Sequence, residues 1–422
     1  MSKTIKIGWA TPWNSESAIA KFSQLVVSEL EARDIEVDIL RLEIGEATNL
    51  SPLPVSGKRT ARFAYEFSED ELRSFDVIFV NVGNYSLYHG QVFDLLFRTP
   101  CVIVAHDADL SCLANEICVM MERGVLRYGI KEAAEAASDG PIEGRSRRLL
   151  RWLGAASCGG IVHANHYLDE FRSYCCGDVV MAPLPYPDIG EVPFNPGTRE
   201  LRVATVGYVN DNKRIHEVMR ALSLSPKLAR NVTYKIIGAV TDEARSRLDG
   251  WAESLGIPPV TFTGWVDDDK LKRHLKNIDV ICCLRHPISE GASASLILGM
   301  QAGRPLLVSD HGCYADVPDD VVLKCRPGDE AEDIVRHLEG LLNEPDRIRA
   351  LGRKARSFAL EYYSVAHYAD AVIDLIPRAA AVRPVVRAAA TIGRVLKCFD
   401  TREDDPVIDR LTVNMMQMLG QA

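Results

Sequence analysis

Short β-branched runs alternate with longer amphipathic stretches twice along this chain, and the two series are separated by a segment that neither a helix nor a central strand can absorb. The first series reads KIGWA, IEVDIL, DVIFVNV, CVIVAHD, GGIVHA and VVMAPL; the second reads LRVATVG, TYKIIGA, VTFTGW, DVICCL, PLLVSD and VVLKC. Between strands, stretches such as 18–33 place Ile19, Phe22, Val26 and Leu30 on one helical face. Such alternation implies parallel sheets covered on both faces. The separating segment, PLPYPDIGEVPFNPG at 183–197, carries five prolines and reads as a linker. The expected architecture is α/β: two tandem Rossmann-like domains at 1–186 and 200–362, a Pro-rich linker at 187–199, and C-terminal helices at 363–422 that return to the N-terminal domain. Residues 329–376 read as helix throughout and 377–422 as further amphipathic helix. The stretch 131–151, polar and interrupted at Gly140, Pro141 and Gly144, reads as a mobile connection ending in Arg145, Arg147, Arg148 and Arg151. A solvated helix face is favoured for those arginines over an anionic membrane patch.

Composition narrows the function. The chain has 58 acidic and 49 basic residues, a formal charge of −9, which argues against a general nucleic-acid binder because that requires a broad basic footprint. Any anionic ligand must therefore meet a local positive site. No apolar run approaches the roughly 20 residues of a membrane span, and the start passes directly into a strand without a signal-peptide pattern. A cytoplasmic location is expected, with peripheral association at the inner membrane as the alternative; oligomeric state is unassigned. The eleven cysteines contain no C-x-x-C pair and read as small buried side chains, with Cys313 in a Gly-flanked loop the candidate for reactivity.

Open α/β sheets bind ligands beyond the carboxyl ends of their strands, and two such crevices facing one another would make a cleft. Neither first loop, IGWATPWNSESAIAKFS or VATVGYVNDNKRIHEVM, contains G-x-G-x-x-G or G-x-x-x-x-G-K-[ST], so dinucleotide oxidoreductases and P-loop kinases lose their defining feature. Lys213, six residues past Gly207, stands where the loop turns into a helix whose start favours an anion. Arg285, after the apolar DVICCL, offers a second cation at the same edge. In RHPISEGASASLILGMQAGRPLLVSD, Glu290 precedes the small residues Gly291, Ala292 and Ser293, which permit close ligand approach; the alternative is an acid complementing a helix start. His106 with Asp107 ends a strand at the expected crevice and is favoured as functional. His89 is balanced between the two readings, and His163, His166 and His286 read as structural. No H-x-H, H-E-x-x-H or D-x-D pattern marks a metal site.

The second series, with GYVNDNKR and PISEGASASLILGMQAGRPLLVSD at the expected places over 201–362, resembles the retaining glycosyltransferases of the GT-B fold, in particular a bacterial subgroup of glycosyltransferase family 4. The N-terminal half is similar more loosely, through ATPWNSESAIAKFS, FVNVGN with Tyr88-His89, and CVIVAHD. The resemblance implies Lys213, Arg285, Gly207, Tyr208, Gly291, Ala292 and Ser293 around the donor diphosphate and sugar. It implies Glu290 on the sugar hydroxyls, His106 beside the reacting centre, and Trp265 and Val266 at the nucleobase. Ser17, Asn84, His89 and Asp107 fall on the acceptor side. It implies no cofactor and no metal, a UDP-, GDP- or dTDP-linked sugar as co-substrate, and a glycan or lipid-linked acceptor. The chain departs from the pattern at Tyr208, where an arginine is common, at Ala18, where a glycine is common, and at Leu298, where the second acid of E-x7-E would fall. The subgroup spacing P-x-x-G-E-x-S would place its acid at Gly291.

A retaining sugar transfer in glycan assembly is the leading expectation. A nucleotide-sugar epimerase or hydrolase of the same fold, or a nucleotide-sugar-binding assembly protein without catalysis, are the alternatives.

Overall fold

A computed structural model of the chain describes residues 4–55, 61–123, 128–194, 200–288, 290–399, 401–402 and 405–419. The chain divides into two compact units, 1–185 with 365–422, and 186–364. Seven strands, β1 (Lys6–Thr11), β2 (Glu36–Arg41), β3 (Ala61–Phe63), β4 (Val77–Val82), β5 (Val102–Ala105), β6 (Gly159–Val162) and β7 (Val179–Met181), form the first sheet in the order β3-β2-β1-β4-β5-β6-β7. Six more, β8 (Leu201–Val206), β9 (Val232–Ile237), β10 (Thr261–Phe262), β11 (Val280–Cys283), β12 (Leu306–Ser309) and β13 (Leu323–Cys325), form the second in the order β10-β9-β8-β11-β12-β13. Every pairing is parallel, for example Ile7 opposite Val37 and Val77, and Val203 opposite Tyr234 and Val280. The expected pair of Rossmann-like sheets is present. Each sheet reverses its order beside its first strand, at β1/β4 and β8/β11, which is where such folds place ligands.

Packing explains the elements. In the first unit Trp9 lies against Phe79 with ring centroids 5.4 Å apart, and Phe22, Val26 and Leu30 of the helix Ala18–Ala32 close over them. Ser17 caps that helix, its Oγ accepting from the Ala20 amide. In the second unit Val218, Met219 and Leu222 pack on Val203, Tyr234, Ile236 and Val280, with Ile334 and Leu338 beside them.

Three expectations are corrected. The short strand β3 was not anticipated, because three residues carry no periodicity. The stretch 131–151 is not a mobile connection: helices Tyr128–Ser138 and Arg145–Ala155 occupy it, burying Ala133, Ala134, Ala137, Leu149, Leu150 and Leu153. Arg148 turns inward, donating to the carbonyls of Ala137 (2.9 Å) and Pro141 (2.6 Å), and Arg147 pairs with Glu170. Finally, 329–376 is not helix throughout: helices Glu330–Asn343, Pro345–Tyr362 and Val365–Cys398 divide it, the last running on through Pro377 and Pro384. Proline inside a helix removes a hydrogen bond, but Leu375, Ile376, Ala379 and Val386 are buried in the first unit's core and outweigh that loss.

The helix is fastened further by Arg383, whose guanidinium donates to the carbonyls of Phe75 (2.6 Å) and Leu72 (2.8 Å) and to Thr99 Oγ1 (2.9 Å). Of the expected linker, 187–194 is fastened to the second unit: Arg304, fully buried, donates to Pro193 O at 3.1 Å and lies over the Phe194 ring at 4.1 Å, and the Ile189 amide donates to Gln301 at 3.2 Å. Residues 195–199 lie outside the described residues. Among the described residues no helix is long and apolar enough to cross a membrane.

Arg383→Ala leaves two buried carbonyls without their donor, so urea unfolding of the first unit should show a loss of about 2–4 kcal/mol. A change under about 0.5 kcal/mol, the size of an ordinary surface substitution, would show that the helix is only loosely attached.

Candidate functional site

In the second unit the site grows out of the carboxyl ends of β8, β11 and β12. Gly207 follows β8 at φ +104, and a Cβ there would stand 2.9 Å from Lys213 Nζ. Gly238, at φ +153, packs so closely that a Cβ would lie 2.2 Å from Gly207 O. Only glycine fits either place. The chain then makes a tight turn over Asp211–Lys213, takes a left-handed conformation at Arg214 (φ 54), and enters the helix Ile215–Leu224. Arg214 is held there by Glu217 at 3.2 Å and Glu330 at 3.4 Å.

This path turns Lys213 back under the loop. The residue is buried, and Nζ donates to Val206 O at 2.8 Å. Burial, followed by the nearby Arg285 charge, lowers its pKa to about 8. Arg285 is buried as well: its amide donates to Ser309 Oγ (2.9 Å), Nη1 to Leu284 O (2.8 Å), and Nε to Glu290 Oε1 (2.9 Å). Tyr314 is fully buried; desolvation raises its pKa well above the usual value, so it stays a donor, and its hydroxyl meets the same Glu290 oxygen at 3.4 Å. His311 Nε2 donates to Arg285 O at 2.7 Å.

The structure thus brings together Gly207, Lys213, Arg285 and Glu290. The reading of Glu290 as a helix-start acid does not hold, because Ser293 caps the helix Ala294–Gln301, its Oγ accepting from the Leu296 amide. Gly291 is buried and Ala292 half-buried ahead of that cap, while Ser289 lies outside the described residues. Leu298 is buried within the helix. Tyr208 is exposed, as is Trp265 (76%), which follows Gly264 (φ +68) and precedes the half-buried Val266. Cys313 is buried, and burial pushes its thiol pKa up, the opposite of the shift a reactive thiolate requires.

In the first unit a chain of polar groups crosses otherwise apolar strand ends. Asn81, fully buried in β4, donates through Nδ2 to Ala10 O at 3.0 Å, and its Oδ1 lies 2.9 Å from His106 Nε2. His106 Nδ1 lies 3.2 Å from His163 Nε2, and His163 Nδ1 lies 3.0 Å from Ala182 O. His89 Nδ1 meets Asn81 O at 3.0 Å; burial lowers its pKa to about 4, which keeps it neutral. Asp107 Oδ2 accepts from the Asn84 amide (3.0 Å), and Asn84 Oδ1 from the Leu113 amide (2.9 Å). Gly83 leaves room between them: a Cβ there would sit 2.9 Å from His89 Nε2. Ser17 is held with its loop by Asn14 Oδ1, and Asn14 in turn by the buried Glu43, which also accepts from the Trp13 amide at 2.7 Å.

Sequence reasoning missed Asn81, Ser309, His311, Tyr314 and Glu43, and read His163 as structural. A polar residue inside the apolar run VIFVNV was the available signal for Asn81. The others act through contacts distant in sequence. Among the described residues no group of three or more His, Cys, Asp or Glu side chains is arranged to hold a metal ion.

Residues 192–358 match the family model described as Glycosyl transferases group 1. No curated protein matches the chain in sequence. Among solved structures, sucrose-phosphate synthase from Thermosynechococcus elongatus is similar at TM-score 0.58 and 16% identity, over 88% of this chain and 98% of that one. HepE of Anabaena, solved with UDP, is similar at 0.58 and 13%, over 88% and 99%. WaaG, a glycosyltransferase involved in lipopolysaccharide biosynthesis, is similar at 0.51 and 17%, over 87% and 99%. These likenesses establish the fold as GT-B.

Gly207→Ala should cost about 1–3 kcal/mol in urea unfolding of the second unit, from the left-handed backbone, and displace the Lys213 ammonium. An unchanged stability would contradict the left-handed backbone at Gly207.

Proposed function

We propose that the protein is a glycosyltransferase that moves a sugar from a nucleoside diphosphate sugar to an acceptor hydroxyl with retention of anomeric configuration, in bacterial glycan assembly. The observation that carries the reading is the pair of buried cations, Lys213 and Arg285, beside the Glu290 carboxylate at the β8/β11 switch point, within the residues that match the glycosyltransferase model. HepE of Anabaena, of the same fold, has been solved with UDP-glucose.

In this reading Lys213 and Arg285 bind the diphosphate and stabilise the charge it gains as the glycosidic bond breaks, a contribution that grows toward the transition state. They supply positive charge from the protein itself, so no divalent metal is required. Tyr208, Gly291, Ala292 and Ser293 border the donor, and Trp265 with Val266 takes the base. Glu290 accepts hydroxyl hydrogen bonds from the hexose. Held by Arg285 and Tyr314, it is a poor nucleophile, which suits a route with no covalent sugar–enzyme intermediate, in which the departing phosphate oxygen takes the acceptor proton. Leu298 cannot accept ribose hydroxyls, so selectivity rests on the hexose. Acceptor roles fall to His106, His89, Asn84, Asp107 and Ser17.

Incubation with UDP-, GDP- and dTDP-hexoses tests the reading. Nucleoside diphosphate should be released only when an acceptor extract is present, with the sugar recovered on the acceptor in the donor's anomeric configuration. Release without acceptor identifies a hydrolase, sugar isomerisation without release an epimerase, and binding without turnover a non-catalytic protein.

Lys213→Ala should weaken UDP binding by roughly 10- to 150-fold, the worth of about 1.5–3 kcal/mol for a hydrogen bond to a charged group, and chelator should leave wild-type binding unchanged. Because the free lysine titrates at about 8 and a bound anion raises that value, wild-type binding should take up a proton near pH 8 and weaken as pH rises further. Calorimetry in buffers of different ionisation enthalpy reads this uptake, which Lys213→Ala should abolish. Glu290→Ala should lower kcat more than it weakens donor binding, since its contact strengthens as the anomeric carbon gains positive character; full turnover at saturating donor would remove Glu290 from the mechanism.

A further inference from the structure

We infer that His163 is the positioning residue of His106, and that in the arrangement seen here the two imidazoles together carry one proton beyond those of the neutral pair. The inference deepens the proposed acceptor-side role of His106 and rests on that reading for its catalytic consequence, but the hydrogen-bond count behind it does not.

The count begins at the two ends. Asn81 Nδ2 faces Ala10 O at 3.0 Å; only the nitrogen end of an amide can donate to a carbonyl, so Asn81 Oδ1 is the atom that faces His106 Nε2 at 2.9 Å. At the other end His163 Nδ1 faces Ala182 O at 3.0 Å. Both terminal partners are therefore acceptors, and each requires a hydrogen on the ring nitrogen it meets. The central contact, His163 Nε2 to His106 Nδ1 at 3.2 Å, requires one more. Three contacts need three hydrogens. Two neutral imidazoles carry two between them, and two imidazolium rings carry four. A neutral pair leaves two lone pairs facing each other at one of the three contacts, and a doubly charged pair sets two N–H groups against each other at the centre. One added proton satisfies all three.

The surroundings hold the geometry in place. Tyr167 OH accepts from the His163 amide (2.7 Å) and donates to Ala105 O (2.9 Å), tying the strand ends that carry the two rings. Phe22, from the helix Ala18–Ala32, sets its ring 4.8 Å from His106 and 5.9 Å from His163, and Tyr368, from the helix Val365–Cys398, lies 5.8 Å from His163. The titratable groups around the pair are His89, which is neutral and bonded to Asn81 O, Tyr167, whose hydroxyl lies between the His163 amide and Ala105 O, Tyr368, whose ring packs on His163, and Asp107, next to His106 in sequence, whose Oδ2 takes the Asn84 amide. Burial opposes charge on both rings, lowering the pKa of His163 to about 4 and that of His106 well below its usual value. The completed network opposes that effect and admits one proton only, so the pair titrates as a unit. The sign follows: the closed network is present below the apparent pKa of the pair and is lost as pH rises through it.

The test uses the full chain with 15N-labelled histidine and long-range imidazole spectra across roughly pH 4 to 9. The expected result is one transition in which the His106 and His163 nitrogens shift together and take up one proton. In His163→Gln the side-chain amide can donate to His106 Nδ1 while His106 Nε2–H donates to Asn81, so His106 should stay neutral and the shared transition should vanish. With a donor and acceptor in hand, the wild-type kcat profile should follow the same transition, and His163→Gln should lose that dependence with the donor KM unchanged. Two independent transitions in the wild type, or rings that remain neutral throughout, overturn the inference. Spectra as expected in a protein without turnover leave the pairing standing and overturn the transferase reading instead.

Discussion

Two like charges kept out of water within one loop cluster are the constraint around which the second unit is arranged. A lysine whose pKa falls from 10.5 to about 8 has an ammonium disfavoured by roughly 3 kcal/mol relative to water, and Arg285 stands beside it, with Glu290 its one ionic partner among the described residues, at 2.9 Å. Such a cluster keeps a net positive charge, which the proposed diphosphate would neutralise. The glycines at 207 and 238, the left-handed turn at Arg214, and the bonds from Ser309 and His311 to the Arg285 backbone all hold this strained arrangement in place. In the proposed transferase reading these contacts fix the two cations in place, which is what stabilisation of a developing charge requires.

The first unit solves a different problem with the same edge. Its strands end in polar groups that face one another: Asn81, His106 and His163 in one line, and Glu43, Asn14 and Ser17 in another. Each buried polar atom in these lines must find a partner, and the fold supplies most of those partners from main-chain carbonyls and amides. In the proposed transferase reading this is the edge that meets the acceptor.

Much of this was legible in the sequence for a physical reason. Strands buried on both faces must be continuously apolar, so LRVATVG, CVIVAHD and DVICCL announced themselves, and the positions at or beyond their ends named Lys213, His106 and Arg285. Glu290 was legible through the small residues that follow it. What was not legible depends on contacts distant along the chain. Tyr314 reaches Glu290 across 24 residues and His163 reaches His106 across 57; no spacing rule connects them. That Val365–Cys398 runs as one helix through Pro377 and Pro384 rests on burial of the surrounding apolar face, which no local pattern reveals. The polarity of 131–151 suggested mobility, yet alanines at 133, 134 and 137 are enough to pack a helix when the neighbour is close.

A crystal structure of the protein with UDP tests the central claim most directly. The diphosphate is expected within hydrogen-bond distance of Lys213 Nζ and the Arg285 guanidinium, at the carboxyl ends of β8 and β11, with the uracil near Gly264–Val266. A diphosphate bound elsewhere, or bound with Lys213 still donating only to Val206 O, would contradict the account.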